Sequence, residues 1–271
     1  MSTSTGLRID GIRVGYARTT VIEDLAVQIP HGGFTVIIGP NGCGKSTLLR
    51  TLGRMLPVRA GRILLDDRDL ASFRAREAAR RIGLLPQSPA APSAITVADL
   101  VSRGRFPYQS LLRQWSPQDE RAVAAALAEV GLADQADRLV EELSGGQRQR
   151  VWIAMALAQE TPVLLLDEPI TSLDIAHQLD VLDLCSRLHR SGRTLVAVLH
   201  DLNLAARYAT HVIAMRDGRV QAEGPPDRVF TAEVLRAVFD LDALVLTDPE
   251  TGRPLVVPRD RRPDPERKDP R

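Results

Sequence analysis

The first part of the chain alternates between apolar and polar side chains, as strands with one buried face do. Residues 7–14 and 21–29 follow this pattern, and a proline-glycine turn at 30–33 ends the second stretch. Residues 34–38 then form a continuous apolar run, which is typical of a strand buried on both faces. After a glycine-rich loop, residues 46–55 place apolar side chains on one helical face. The pattern predicts an antiparallel β region, a buried strand, a loop and a helix.

Three more short apolar runs, at residues 82–85, 163–166 and 194–199, predict further buried strands. Helical patterns separate them, and this alternation predicts a mostly parallel sheet covered by helices. Residues 94–158 show helical patterns without strand signals, which predicts a helical insertion between two strands of the sheet. The Asp-Gly pair at 217–218 predicts a β-hairpin.

These patterns predict the organisation of the chain. We expect one α/β domain over residues 7–224, with the helical insertion at about 94–158. A small appendage with one helix is expected over residues 225–257. Residues 258–271 are charged and rich in proline, so we expect them to be disordered.

The composition is that of an ordinary globular protein, with 44% hydrophobic and 25% charged residues. A net charge of +1 gives no electrostatic reason to expect nucleic acid or an acidic membrane as the main ligand. The sequence contains no apolar run of roughly 20 residues, and its first ten residues lack the apolar centre of a signal peptide. If the protein serves a membrane, we expect it to do so from the cytosol through a partner. Cys43 and Cys185 are expected to be reduced, unpaired thiols.

The loop after the buried strand has the pattern Gly-x-x-x-x-Gly-Lys-Ser, which is typical of a phosphate-binding loop. The backbone N–H groups of this loop and the N-terminus of the helix that follows would bind the phosphates. The alternative is an incidental glycine-rich turn, but such a turn does not require a buried strand before it and a helix after it. We expect Lys45 to reach the β- and γ-phosphates and the Ser46 hydroxyl to coordinate Mg²⁺. The Cys43 thiol, near a helix N-terminus, is expected to have a lowered pKa and to be open to alkylation. The residues predicted to contact the nucleotide here are Gly39, Pro40, Asn41, Gly42, Cys43, Gly44, Lys45, Ser46 and Thr47.

Two carboxylates end the apolar run at 163–166, at the strand edge where open parallel sheets bind ligands. Asp167 suits the coordination shell of Mg²⁺. Glu168 suits the base that orients and polarises the attacking water. Together with the loop, these residues predict a nucleoside triphosphatase without saying which kind.

The segment Leu-Ser-Gly-Gly-Gln-Arg-Gln-Arg at residues 143–150, called the signature segment below, narrows this class. Ser144 and Gln147 also fit a capping box at the start of a helix, but a capping box needs no pair of glycines. The segment resembles the signature motif of ABC ATPases, and the chain resembles that family over residues 7–224. The resemblance implies a RecA-like P-loop fold and two copies packed head to tail. It also implies that Ser144, Gly145, Gly146 and Gln147 lie at the partner's ATP, with Ser144 and Gly146 on the γ-phosphate.

Other positions match the family in order. By this resemblance, Gln87 senses Mg²⁺ and the attacking water and is a further metal ligand. His200 holds the γ-phosphate and Glu168, and Asp174 belongs to the loop at 172–174 that communicates between the two nucleotide sites. Tyr16 would stack on adenine, although a tyrosine in a β-hairpin is commonly a packing residue. One departure is Ile170, where the family commonly has threonine.

Segments 103–108, 151–159 and 174–179 resemble the ATPase subunits of importers for ferric siderophores, haem and vitamin B12. The resemblance implies an ATP-hydrolysing, Mg²⁺-dependent homodimer at the cytoplasmic face of the membrane. Its partners would be a polytopic permease and, indirectly, an extracytoplasmic substrate-binding protein, with ferric siderophore as the first choice of cargo. A non-transport ABC ATPase and a P-loop small-molecule kinase remain alternatives from other classes. The kinase has no reason to carry the signature segment.

Overall fold

The computed structural model describes residues 6–110, 115–171 and 173–260. The predicted disordered tail, apart from residues 258–260, lies outside these ranges, as does Ser172. The described strands, in chain order, are β1 Leu7–Tyr16, β2 Thr19–Ile29, β3 Phe34–Ile38, β4 Ala60–Leu65, β5 Arg68–Asp69, β6 Ile82–Leu85, β7 Val163–Asp167, β8 Thr194–Val198, β9 His211–Arg216, β10 Arg219–Gly224, β11 Ala243–Thr247 and β12 Pro254–Pro258.

The described helices cover both faces of the sheet and fill the segment between β6 and β7. They are α1 Lys45–Leu52, α2 Ala75–Ala79, α3 Val97–Ser102, α4 Pro117–Glu129, α5 Gly145–Ala158, α6 Ile175–Arg190, α7 Leu202–Tyr208, α8 Pro226–Val229 and α9 Ala232–Phe239. Among the described residues, none of these helices combines the length and apolarity needed to cross a bilayer.

The centre of the molecule is a six-stranded sheet in the order β10-β9-β3-β8-β7-β6. Strands β9, β3, β8, β7 and β6 pair in parallel, and β10 joins the edge as the antiparallel partner of β9. This confirms the predicted α/β fold with a parallel core. Every residue of β3 is buried, with Val36 and Ile38 in the apolar core on one face and Ile37 in the core on the other. Burial on both faces of the sheet explains why residues 34–38 form a continuous apolar run in the sequence.

A second, antiparallel sheet has the order β2-β1-β4-β5. Its apolar side chains share one core with α1, which begins directly after the phosphate-binding loop. The sequence predicted β1 and β2 but not β4 or β5. The predicted helix at 46–55 was too long at its C-terminal end, because α1 stops at Leu52 with Gly53 as its C-cap. Met55 lies beyond the helix and is 63% exposed.

The segment between β6 and β7 contains α3, α4 and α5 but no named strand among its described residues, as predicted for the helical insertion. A buried ion pair anchors this segment. Arg105, 1% exposed, donates from Nε to Asp119 at 2.8 Å and from Nη1 to the Ala158 carbonyl at 2.6 Å. Its guanidinium also lies 4.0 Å from the ring centre of Tyr108.

The end of the described chain is more structured than the sequence predicted. One helix was expected between residues 231 and 239, and α9 confirms it, but α8 and the β11-β12 hairpin were missed. The hairpin packs on α7, where the Asn203 side chain accepts from the backbone N–H of Val256 at 2.7 Å and donates to its carbonyl at 3.2 Å. This amide therefore ties the hairpin to the helix that follows β8.

Candidate active site

Four parallel strands that are neighbours in the sheet, β3, β8, β7 and β6, end at the same edge. Each strand is followed by residues that the sequence analysis assigned to the site. The phosphate-binding loop follows β3, His200 follows β8, Asp167 and Glu168 end β7, and Gln87 follows β6. The topology thus gathers side chains that are far apart in the chain at the edge where such sheets bind ligands.

The phosphate-binding loop has the close turns that its glycines permit. Gly44 has φ 105, a left-handed conformation, and is the N-cap of α1. A side chain at Gly39 would overlap the carbonyl oxygen of Met215 on the neighbouring strand β9. The Lys45 ammonium donates to the carbonyls of Gly39 and Pro40 at 2.8 and 2.9 Å. The loop therefore curls around this one cation at the positive end of a helix.

Ser46 and Asp167 bring two hard oxygen ligands together at the base of the site. The Ser46 hydroxyl donates to Asp167 Oδ1 at 2.8 Å, across 121 residues of sequence. The other carboxylate oxygen, Oδ2, is buried and has no hydrogen-bond partner among the described residues. Arg50 is its closest cation, with Nε at 3.9 Å. A buried, unpartnered carboxylate oxygen beside a hydroxyl fits a bound Mg²⁺.

Glu168 is held from three directions. Its Oε1 lies 2.7 Å from His200 Nε2, and its Oε2 accepts from Gln87 at 2.8 Å and from the Thr171 hydroxyl at 3.0 Å. Its φ of 53 is left-handed, which costs a non-glycine residue about 1–2 kcal/mol. Such a backbone conformation fits a residue whose side chain must leave the strand in a direction different from that of Asp167.

The two adjacent carboxyl groups titrate differently. Burial raises the pKa of Asp167, and the hydrogen bond from Ser46 and the charge of Arg50 offset this only in part. Burial also acts to raise the pKa of Glu168, but the hydrogen bonds from His200, Thr171 and Gln87 outweigh it, so this pKa is lowered. Glu168 is therefore ionised at neutral pH and able to accept a proton or a hydrogen bond.

Lys45, Ser46 and the Glu168 cluster (Gln87, Glu168, Thr171 and His200) line one cavity of about 530 Å³. Its volume falls within the range of small-molecule sites. Its floor is the loop and its far wall is the Glu168 cluster. The lining residues are Val21, Asn41, Gly42, Gly44, Lys45, Ser46, Thr47, Gln87, Glu168, Thr171 and His200.

The expected lowering of the Cys43 pKa was wrong. Burial raises the pKa of its thiol, and the nearby charge of Lys45 and backbone hydrogen bonds do not overcome this. The side chain is 4% exposed and belongs to the apolar core under the loop. A helix N-terminus lowers a thiol pKa only where the sulfur faces it and solvent, and this sulfur packs inward.

Several predicted site residues lie outside the cavity lining that the described residues form. Ser144 caps α5 in a full capping box with Gln147, and both Ser144 and Gly145 are exposed. Asp174 caps α6, and its side chain is 67% exposed. Tyr16 ends β1 and is 42% exposed, while Val21 lines the cavity instead.

Sequence reasoning missed several contacts of the site. The Thr171 hydroxyl reaches Glu168, whereas Ile170, the departure from the family pattern, is 6% exposed in the core. Gln149 in the signature segment donates to the Pro169 carbonyl at 2.7 Å and so joins α5 to the turn after β7. The capping-box pattern and the family order gave no signal for these side chains, because each bond depends on the conformation of the turn after β7 and, for Gln149, on how α5 packs against that turn.

The parallel sheet, the glycine-rich loop with Lys45 and Ser46, and the acidic end of β7 together define a P-loop nucleoside triphosphatase. The ABC transporter family model matches residues 22–171. The chain belongs to this family, binds ATP and is an ATPase.

Relatives cover nearly the whole chain. The ferric enterobactin transport ATP-binding protein of Escherichia coli (strain K12) is 53% identical over 253 residues, which are 93% of each chain. The probable siderophore transport system ATP-binding protein of Bacillus subtilis (strain 168) is 49% identical over 95% of this chain and 94% of its own. A dimeric, post-hydrolysis ATP-binding cassette bound to ADP and Pi superposes with a TM-score of 0.70, at 28% identity over 81% of this chain and 98% of that one.

Proposed function

We propose that this chain is the ATP-hydrolysing subunit of an importer that takes up a ferric siderophore through a separate transmembrane permease. The assignment of ATP hydrolysis to this site rests on one observation. The Glu168 carboxylate is held by His200 and Gln87 at one wall of a cavity whose floor is Lys45 and Ser46. The cargo is supported by the two relatives at about half identity, whose names specify enterobactin and siderophore transport.

Ser46 and Asp167 are the residues that would hold Mg²⁺, with Gln87 as a further ligand from the opposite wall. When bound, the ion would neutralise charge on the β- and γ-phosphates. The paired hydroxyl and carboxylate are hard oxygen donors, which Mg²⁺ prefers over nitrogen or sulfur.

Lys45, Glu168 and His200 have separate roles in the hydrolysis of ATP. Lys45, at the positive end of α1, binds the terminal phosphates. Glu168 accepts a hydrogen bond from the attacking water and polarises it, since its lowered pKa keeps it ionised. Oε2 is occupied by Gln87 and Thr171, so the water shares Oε1 with His200. His200 therefore fixes the base and lies beside the position of the γ-phosphate.

A second copy would complete the site. Ser144 and Gly145 are exposed at the N-terminus of α5 and absent from the cavity lining of their own described chain. A helix N-terminus is a second anion site, and the related cassette of the solved structure is dimeric. Two head-to-tail copies would enclose each ATP between the loop of one copy and the signature segment of the other, and Tyr16 and Asp174 would complete the contacts. Hydrolysis would then release the two copies.

The dimer would work at the cytoplasmic face of the membrane, bound to a polytopic permease that receives cargo from an extracytoplasmic binding protein. We assign the ABC ATPase domain to residues 7–224, with about 94–158 as its inserted helical subdomain, 225–257 as the appendage and 258–271 as a tail that begins at Pro258, the last residue of β12.

The proposed cargo is tested by measuring uptake in cells that lack this gene and carry either the wild-type chain or a variant of it. Cells complemented with the wild-type chain should accumulate iron from a labelled ferric siderophore, and cells with Lys45→Ala should not, because the variant cannot hold the phosphates. Labelled haem and cobalamin form the comparison arms. Restored uptake of haem or cobalamin alone would replace the proposed cargo. Co-purification of the wild-type chain with the permease, absent for an unrelated ATPase, checks the partner.

A further inference from the structure

The two glycines at the start of α5 have different surroundings. A Cβ on Gly145 would meet nothing within 4 Å in the described chain. A Cβ on Gly146 would lie 2.6 Å from Cδ2 and 2.9 Å from Cγ of the His177 ring. Neither glycine has a positive φ, so the backbone conformation does not require glycine at either position. Space requires it at Gly146, and the neighbour that takes the space is His177.

The His177 ring is held in place by the loop before α6. Asp174 Oδ1 lies 2.7 Å from His177 Nδ1 and also accepts from the His177 backbone N–H at 2.9 Å. These two hydrogen bonds lower the pKa of Asp174, so the carboxylate accepts and Nδ1 carries the proton. The cap residue of α6 thus fixes the orientation of the ring that lies against Gly146.

Two further side chains hold the same pair of helices together. Gln149 of α5 donates to the Pro169 carbonyl at 2.7 Å, and Gln178 of α6 donates to the Leu173 carbonyl at 3.0 Å. Both bonds hold the segment that connects β7 to α6. The segment between β7 and α6 is therefore bonded to both helix starts, and the contact between His177 and Gly146 joins the two helices directly.

We propose that His177 is a positioning residue that locks the tip of the signature helix α5 to the start of α6, so that Ser144 and Asp174 approach the partner's nucleotide as one unit. The proposal rests on the proposed function, because it presumes an ATP-dependent dimer. It gives the two glycines separate roles. The roles differ in the space that each glycine leaves: a methyl group at Gly146 would meet the His177 ring of its own chain, whereas one at Gly145 would point away from that chain, toward the side on which the partner's phosphate binds.

Five variants in a Glu168→Gln background test this proposal by the ATP concentration that half-saturates dimerisation, measured by light scattering. Gly146→Ala should raise that concentration about tenfold or more, because a methyl group displaces a packed ring. His177→Ala should raise it about threefold, since the hydrogen bond to Asp174 is lost. The double variant should match His177→Ala alone, because removing the ring makes room for the methyl group.

Gly145→Ala is the matched control, since a Cβ there meets no atom of its own described chain. Gly145→Ala should also raise the half-saturating ATP concentration, because its methyl group would face the partner's phosphate. Adding His177→Ala should not relieve this defect, because the His177 ring does not contact Gly145. A double variant at 146 and 177 no better than Gly146→Ala would overturn the proposal. Absence of ATP-dependent dimers in the parent would overturn the proposed function instead. Melting temperatures show whether each variant folds. If Gly146→Ala does not fold, recovery of folding in the double variant supports the contact, and no recovery contradicts it.

Discussion

At the residue scale, the decisive feature is that Glu168 accepts hydrogen bonds on both carboxylate oxygens while its neighbour Asp167 is buried with one oxygen unpartnered in the described chain. Two adjacent residues, the last of β7 and the one that follows it, thus have opposite pKa shifts. This separation suits a base beside a metal ligand, because each role needs a different environment.

Replacing Glu168 by glutamine should separate binding from hydrolysis. The amide keeps the size of the side chain but cannot accept a proton, so turnover should fall about 10²- to 10⁴-fold. ATP binding should persist because Lys45 and Ser46 are untouched. Phosphate release and the retention of labelled ATP measure the two effects. Glu233→Gln, at an exposed glutamate of α9, is the control and should hydrolyse ATP normally. Near-normal hydrolysis by Glu168→Gln would remove Glu168 from this role.

The two cysteines should resist alkylation in the folded chain. Burial raises the pKa of Cys43, and burial raises that of Cys185 to about 12. At pH 8, a pKa near 12 leaves about 10³-fold less thiolate than an ordinary thiol has. Mass spectrometry after iodoacetamide treatment should show slow labelling of Cys43 and slower labelling of Cys185. Rapid labelling of both in urea is the control, and labelling of folded Cys43 at the unfolded rate would contradict the assigned burial.

The sequence predicted the residue types of the site better than their contacts. Lys45, Ser46, Asp167 and Glu168 follow strands whose apolar runs are unmistakable, so their placement at one sheet edge could be predicted from topology. The Thr171 bond to Glu168 and the contact of His177 with Gly146 could not. Both depend on how a turn or a second helix packs, which no periodicity records.

At the element scale, a buried charge joins the parts of the helical segment to one another. Arg105 pairs with Asp119 at the start of α4 and with Glu160 just before β7, and its guanidinium lies over Tyr108. Burial acts to raise the pKa of Asp119, but hydrogen bonds from Ser116 and Arg105 outweigh this, so the pKa is lowered. The pair therefore remains charged in the folded chain although both side chains are buried.

Removing either partner should destabilise the chain, and removing Arg105 should cost more. Arg105→Met should lower the free energy of unfolding by about 3–5 kcal/mol, because the Asp119 charge stays buried without its cation. Asp119→Asn should lower it by about 1–3 kcal/mol, because Arg105 keeps its ion pair with Glu160. Arg103→Met, at an exposed arginine two positions away, should cost less than about 0.5 kcal/mol. Urea denaturation measures these differences, and equal effects of the two arginine variants would refute the assignment.

The Asp119→Asn difference should also depend on pH. Because the pKa of Asp119 is lower in the folded than in the unfolded chain, its stabilisation is fully present above about pH 4, near the usual pKa of aspartate. It is lost as the pH falls through the lowered folded value. The difference from wild type should therefore be constant from about pH 8 to 5 and shrink below about 4.

The strands that sequence patterns missed share one feature: buried and exposed apolar positions do not alternate along them. In β11, Ala243 is buried and Leu244 and Leu246 are exposed, so apolar residues occupy both faces and hide the alternation. In β4 only the last three residues are buried, because its pairing with β1 determines it rather than its own composition. β3 and β6 matched their predicted bounds, because every residue of β3 and all but one residue of β6 are buried, so each strand is a short, continuous apolar run.

At the scale of the whole molecule, each copy presents two halves of different sites. The cavity is lined by the phosphate-binding loop and the Glu168 cluster. Ser144 and Gly145 of the signature segment are exposed, and among the described residues they do not belong to the lining of this cavity. In the proposed head-to-tail pair, each half would meet its complement, and the pair would close without leaving an open surface for a third copy. Under this proposal dimerisation is part of catalysis, because one copy alone would contact the terminal phosphate from one side.

Mixing two inactive variants tests this arrangement directly. Lys45→Ala has a defective loop and an intact Ser144, whereas Ser144→Arg has an intact loop and a blocked signature segment. Both would carry Glu168→Gln so that bound ATP is retained. Neither variant alone should retain labelled ATP in a dimer, because every site combines a loop and a signature segment of which one is defective.

The mixture should recover about a quarter of the parent's retained ATP, since random pairing makes about half of the dimers mixed and each mixed dimer has one intact site. A third variant that carries both Lys45→Ala and Ser144→Arg is the matched control. Mixed with the parent, it leaves every mixed dimer with two incomplete sites, so it should add nothing to the ATP that parent homodimers retain. If each site were built within a single copy, Lys45→Ala and Ser144→Arg mixed together would stay as inactive as they are separately. Recovery on mixing therefore requires that two copies share each nucleotide.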